Sequence, residues 1–309
     1  MATRLSHRTR EGSGRNGFIV VAVLWILTAL ATLATIFSMY VINTATAFAV
    51  HDERLQAEGL ARAAIELSAY QVASSTPAPL SRGNFAFRIG NATVNAEFVA
   101  ETARIDLNSA PKELLAGLFA SLGASRAQAD YYADRITGWR SPPLEGTQDS
   151  EAGLYRAAGL LYGPRGAPFP HTGEIALVLG IPDVMVERAL PFLTVYSGQP
   201  QINIYNAAPQ VLAALPGMDP ARLNAVLVQR EAGPQNAQGL LAMLGAAQTL
   251  ANTQSSKSLR VTARIAFDSG QRMTTEAVIF ILDSGTEPYR ILTWRDDMDD
   301  TPGTRVAGR

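Results

Sequence analysis

The sequence predicts an α+β protein: a long N-terminal helix, a small antiparallel sheet, and a large all-helical segment set between two hairpins of that sheet. Three observations predict it. No proline occurs between Gly17 and Pro77. Two stretches of alternating apolar residues, 84–101 and 258–282, each break at a turn signal. Between them, residues from about 106 to about 255 carry apolar residues at helical spacing.

The helix comes first. Residues 1–16 carry Arg4, Arg8, Arg10 and Arg15 against Glu11, and then Gly17 to Ile42 runs without a charge. As a helix this run is about 39 Å long, enough for a hydrocarbon core of about 30 Å. It exceeds the apolar core of about 7–15 residues of a secretory signal peptide. The arginine-rich side stays cytoplasmic, which places the bulk of the chain across the membrane. The pattern then continues as Leu55, Leu60, Ala64, Leu67 and Tyr70, with Arg54, Glu58, Arg62 and Glu66 between them. One helix therefore extends over about 18–75, greasy all round in its first half and amphipathic in its second.

Thr76-Pro77-Ala78-Pro79 ends it. Phe85, Phe87 and Ile89, a Gly90-Asn91 turn, then Val94, Ala96 and Phe98 make the first hairpin. Leu259, Val261, Ala263, Ile265 and Phe267, the turn Asp268-Ser269-Gly270, and a return over 272–282 make the second, with a last short strand at Tyr289–Trp294. The remaining tail contains Asp296-Asp297-Met298-Asp299-Asp300 and reads as a solvated, disordered end.

The helical middle contains an internal echo. Ile105-Asp106-Leu107-Asn108-Ser109-Ala110 opens one unit and Ile202-Asn203-Ile204-Tyr205-Asn206-Ala207 another; each continues with spaced leucines, a glycine and a second helix ending in Arg. Asn108, Ser109 and Asn206 are the expected N-caps before Pro111 and Pro209. Gly123 and Gly217 stand between the helices, where positive φ is needed. A third unit turns at Gly180, between helices at 173–179 and 183–190.

Composition removes whole classes of chemistry. The 26 Lys+Arg and 27 Asp+Glu give a net charge of -1, against a globally basic nucleic-acid binder. With 0 Cys, disulfide frameworks, thiolate metal sites and thiol catalysis are excluded. The histidines, His7, His51 and His171, are far apart. No nucleophile elbow, zincin, P-loop or dinucleotide motif occurs, so the chain reads as a non-enzyme without a cofactor.

A short basic leader, Gly17 followed directly by Phe18, and a long apolar helix resemble the type IV prepilin-like proteins. The resemblance implies that prepilin peptidase cuts between Gly17 and Phe18 and methylates the new amine of Phe18. Most members carry a glutamate five residues into the mature chain, where this one has Ala22. That departure points to the type II secretion minor pseudopilin K family, also called general secretion pathway protein K. The middle adds an ordered set of motifs similar to that family's: Ile105 to Ala110, Trp139-Arg140, Glu151 through Gly159, Tyr162-Gly163-Pro164, Leu193-Thr194-Val195-Tyr196 and Leu215-Pro216-Gly217. The resemblance spans about residues 12–295.

It implies a pseudopilin fold, divided as leader 1–17, long helix 18–75, sheet 76–104 and 257–295, helical insertion 105–256 of helix-hairpin-helix or SAM-like modules, and tail 296–309. It implies a single-pass inner-membrane subunit at the pseudopilus tip, with a periplasmic C-terminal domain. Its partners would be the minor pseudopilins I and J, other pseudopilins and prepilin peptidase, and not nucleic acid. Some relatives bind calcium in an acidic loop after the Trp-Arg segment. Here Ser141 replaces the first acid and, of Glu145, Asp149 and Glu151, only Glu151 matches, so no metal site is expected. The rival reading is a membrane-anchored DNA-binding or uptake protein using the helical hairpins. Asp219 beside the Gly217 turn, and Asp130 and Asp134 beside the other, weigh against it.

Overall fold

The computed structural model describes residues 14–75, 80–143, 151–231, 233, 237–283 and 287–299. The chain divides into two compact units, one ending at Gly59 and one beginning at Leu60. Helix α1 (Gly14–Ser74) supplies the described part of the first unit and enters the second.

In the first unit, Phe18–Thr44 is apolar enough to cross a membrane, and its side chains point outward: Phe18, Trp25, Phe37 and Tyr40 are all largely exposed. The threonine hydroxyls do not remain bare. Thr28, Thr32, Thr35 and Thr44 donate to the carbonyls of Leu24, Thr28, Ala31 and Tyr40, one turn back. That satisfies them inside a medium that offers no hydrogen bonds.

The second unit is built on a five-stranded sheet of order β1-β2-β7-β8-β9, with every neighbouring pair antiparallel. The strands are β1 (Arg82–Ile89), β2 (Ala92–Ala100), β7 (Ser258–Phe267), β8 (Arg272–Ile281) and β9 (Tyr289–Asp299). The two hairpins adjoin through β2 and β7, with Ala100 opposite Leu259. Everything between those two residues thus replaces one hairpin loop. On one face Ile65, Ala69 and Val72 of α1 pack on Phe98, Ala100, Leu259, Val261, Ala277 and Ile279. The i, i+4, i+7 spacing puts those three α1 residues on one stripe.

Two details differ from the sequence pattern. Of the apolar pattern in the second half of α1, Leu60 and Ala64 are buried together with Ala61, Ile65, Ala69 and Val72, while Leu67 and Tyr70 stay exposed. At 3.6 residues per turn, Leu67 and Tyr70 lie off the Ile65–Ala69–Val72 stripe, toward the outer side of the helix. Strand β9 also runs past Trp294 to Asp299, into the stretch expected to be a disordered tail. The Asp296 carboxylate holds it, accepting from Thr275 Oγ1 at 2.7 Å and Trp294 Nε1 at 2.8 Å. Residues 300–309 lie outside the described residues.

The inserted head comprises β3 (Ile105–Asp106), α2 (Lys112–Ser121), α3 (Arg126–Arg140), α4 (Glu151–Ala157), α5 (Asp183–Ala189), β4 (Leu193–Thr194), β5 (Ile202–Asn203), α6 (Pro209–Ala213), α7 (Pro220–Glu231), α8 (Ala237–Ala242) and β6 (Ala251–Asn252). Its own core includes Leu114, Leu115, Leu118, Phe119, Ile136, Tyr155, Leu193, Leu212 and Val226. Each such leucine or phenylalanine contributes about 1.5–3 kcal/mol by leaving water. Two parallel bridges clamp the insertion, β3 with β4 and β5 with β6.

The hairpin glycines adopt positive φ as expected: +101° at Gly123, +79° at Gly180 and +71° at Gly217. Gly117 is small for another reason, since a Cβ there would fall 1.8 Å from the Ala214 carbonyl oxygen, where α2 meets α6. The third unit is only half as expected, because 172–177 is a 3-10 helix rather than an α-helix. The caps also differ. Helix α2 starts after Pro111, and α6 has Ala208 at its N-cap, neither with a side-chain cap. Asn108 instead clamps the backbone of Phe169, accepting from its N–H at 2.7 Å and donating to its carbonyl at 3.0 Å. Asn206 donates to the Ser81 carbonyl at 3.4 Å.

Candidate functional site

Three places hold the expected site residues and exposed surfaces: the start of α1, the outer side of its second half, and the head. At the start, Gly17 and Phe18 lie within α1, with Phe18 exposed. Ala22, four residues on, leaves the apolar span free of carboxylate.

In the second unit, a groove of about 600 Å³ runs between α1 and β9, lined by Glu66, Ala69, Tyr70, Tyr289 and Ile291 among others. Among the described residues, strand β9 is an edge of the sheet, with no strand on its outer side. Tyr70 is 70% exposed on the rim and Leu67 42%. Burial, and then the nearby Glu66 charge, push the Tyr289 hydroxyl up from its ordinary value. The guanidinium of Arg62 lies 5.5 Å from the centre of the Trp294 ring and ties the helix to the same edge.

In the head, the motif residues converge on one aromatic cluster. Trp139 packs with Tyr155, Tyr162 and Phe169 at centroid distances of 5.7, 6.4 and 6.3 Å. Trp139 Nε1 donates to Glu174 Oε1 at 2.7 Å, and Arg165 Nη2 donates to Glu174 Oε2 at 2.6 Å. The Arg165 hydrogen bond is the main cause holding the Glu174 carboxyl below its usual value; burial opposes it. Tyr155 accepts from the Leu179 N–H at 2.9 Å, and burial pushes its hydroxyl up to about 12. It is a neutral packing group. Glu174 and Arg165, central to the cluster, were not singled out from the sequence. Arg165 in a loop and Glu174 in the first turn of the 3-10 helix, nine residues apart, form no pattern that periodicity detects.

The rival chemistries rest on the acidic loop and on the helical hairpins. Of the acidic loop, residues 144–150, with Glu145 and Asp149, lie outside the described residues. Glu151 is 2.8 Å from Arg135, and the Ser141 hydroxyl donates to the Thr137 carbonyl. Burial raises the Glu151 carboxyl from its usual value, with Arg135 opposing. No group of three or more potential metal-ligating side chains occurs among the described residues. At the hairpins, Arg126 pairs with Asp130 at 3.5 Å and Lys112 with Asp134 at 2.6 Å. Arg222 donates to the Gly217 carbonyl at 2.8 Å. The cations nearest the turns are already occupied, which disfavours a phosphate-binding hairpin.

Residues 93–198 match the family described as type II secretion system (T2SS), protein K. The matched stretch is similar to a protein K domain. That stretch begins in β2, takes in α2, α3 and the aromatic cluster, and ends just beyond β4, so it contains the first helical repeat and its clamp. A solved chain is similar over 80% of this one and 98% of its own length, with a TM-score of 0.62 and 17% identity. It comes from the crystal structure of the GspK-GspI-GspJ complex of the enterotoxigenic Escherichia coli type 2 secretion system. At that identity the likeness speaks for the fold. No curated protein matches the chain. The fold of that chain, a sheet interrupted by a helical head, is the fold seen here, and the apolar half of α1 fits a single membrane anchor.

Proposed function

We propose that this chain is a K-type minor pseudopilin of a type II secretion system, placed at the tip of the pseudopilus, where it helps to start assembly. The observation that carries the reading is a protein K head inserted into a sheet that rests on the same helix as an uncharged membrane span. Ala22 supports the tip position on physical grounds. A carboxylate in an apolar helix bundle costs several kcal/mol unless paired or neutralised. A subunit with no neighbour above it has no amine to pair with, and there alanine is the less costly residue.

In this reading the chain is inserted with its arginine-rich end cytoplasmic, cut between Gly17 and Phe18, and methylated at Phe18. Its partners are counterparts of the minor pseudopilins I and J. The exposed Leu67 and Tyr70 and the groove beside Tyr289 and Ile291 are the surfaces that would receive their helices. The aromatic cluster of the head is packing, not chemistry.

N-terminal mass spectrometry of the chain expressed with a prepilin peptidase tests the proposal. The expected product begins at a methylated Phe18. An intact Met1, or a cut elsewhere, removes the pseudopilin reading.

A further inference from the structure

Between the sheet and the head the chain crosses only twice, at Glu101–Arg104 and again between β6 and β7. The seam is incompletely packed. A cleft of about 220 Å³ lies along it, between Arg82, Glu97 and Val99 of the sheet and Ala103, Pro191 and Phe192 on the head side. Apolar surfaces that leave such a gap are non-directional and do not by themselves select one angle of approach.

Beside the cleft is a buried cluster of charges. The Glu101 side chain is fully buried. Its carboxylate accepts from Arg260 Nε at 2.8 Å and Nη2 at 3.1 Å, from Arg104 Nη1 at 3.4 Å, and from the Thr194 hydroxyl. Arg260 belongs to β7 of the sheet and reaches on to Glu276 of β8; Thr194 belongs to β4 of the head. Arg104 Nε donates to the Pro191 carbonyl at 3.0 Å, a second tie to the head. One carboxylate therefore joins both sides through fixed, forked hydrogen bonds. The cost of desolvating such a cluster largely offsets its attraction, and apolar groups of equal volume often serve stability as well. Its directionality has no apolar substitute.

We propose that the Glu101–Arg260–Thr194 cluster is an orientation latch, which specifies the single angle at which the helical head sits on the sheet and adds little to the stability of either part. A head held at one angle presents one fixed surface to whatever binds it.

The native chain has 0 Cys, so two spin labels can be placed cleanly, at the exposed positions Asn95→Cys on the sheet and Ala127→Cys on the head. Distances are read by pulsed dipolar spectroscopy on the full chain in nanodiscs. In the doubly labelled parent the distribution should be single and narrow. In the triple variant Glu101→Leu, Arg260→Met, Thr194→Val, thermal melting should stay at or above that of the parent while the distance distribution about doubles in width or splits. Arg104 and Glu276 keep solvent access there, with side chains 21% and 33% exposed. Arg260→Lys, which retains the charge and loses the fork, should also broaden the distribution with the fold intact. Narrow distributions in both variants overturn the latch. Loss of folding in the triple variant overturns it equally, because the cluster would then serve stability.

Discussion

The head contains one helical unit twice, and the two copies meet the same hydrogen-bonding demand with different side chains. In the first, Asp106 Oδ1 accepts from the N–H groups of Asn108 at 2.8 Å and Ser109 at 3.1 Å. Its Oδ2 accepts from Ser197 N, Ser197 Oγ and Gly198 N at 3.0, 2.9 and 2.9 Å. In the second, Asn203 Oδ1 accepts from Tyr205 N at 2.9 Å, and its Nδ2 donates to the Gln254 carbonyl at 2.7 Å. Elsewhere the frames coincide. Ala110 N bonds Asp106 O and Ala207 N bonds Asn203 O, both at 2.9 Å. Arg140 returns to the carbonyls of Ala110 and Leu107, and Arg230 to the carbonyl of Ala207. The difference follows from what the segment after each clamp strand presents. After β4 the chain turns N–H groups inward, which only an acceptor satisfies; after β6 it turns a carbonyl inward, which needs a donor.

Exchanging the two side chains should therefore be costly in both directions, most of all in the first copy. Asp106→Asn points amide hydrogens at donors and should cost about 3 kcal/mol, read from urea unfolding. The reciprocal Asn203→Asp keeps the Tyr205 bond and sets a carboxylate against the Gln254 carbonyl, costing about 2 kcal/mol at neutral pH. If Asp106→Asn proved the milder of the two, the account of the clamps would be wrong.

Smaller effects separate the returning arginines. Arg140→Ala frees two buried carbonyls and should cost about 2 kcal/mol, and Arg230→Ala, with one, about 1 kcal/mol. Burial is the main cause lowering both guanidinium values; nearby Asp106 opposes it at Arg140, whereas Arg82 adds to it at Arg230. Equal losses in the two variants would mean that packing of the arginine stems, rather than the carbonyls, sets the cost.

The echo between the copies was legible in the sequence, as were α1, both hairpins and the hairpin glycines, because each leaves a periodicity or a punctuation mark. The clamps were not. Two-residue bridges such as β3 with β4 are too short for alternation to register. Asp106 also acts from a position ahead of the expected cap at Asn108 or Ser109, so cap rules looked one turn too late. The face of α1 that packs was only partly legible: Leu60 and Ala64 of the apolar pattern are buried, but Ala61 and Ala69, which carry little hydrophobic signal, are buried where Leu67 and Tyr70 are not. The proposed cut at Gly17–Phe18 rests on family resemblance alone.

The smallest expected effect concerns pH. The first copy leans on Glu174 through Trp139; the second has no carboxylate in that relation among the described residues. The Arg165 hydrogen bond, ahead of opposing burial, holds the Glu174 carboxyl below its usual value. A carboxyl depressed in the folded state contributes stability that is present above its unfolded value, about 4.3, and is lost as pH falls through the folded value. Acid should therefore loosen the first copy before the second. Hydrogen exchange followed by mass spectrometry, corrected for the intrinsic pH dependence of exchange, reads this directly. Between pH 6 and about 3, peptides over 133–141 and 172–178 should lose protection ahead of those over 204–230, and Glu174→Gln should remove most of the difference. Simultaneous loss in both copies would place the acid-sensitive group outside the aromatic cluster.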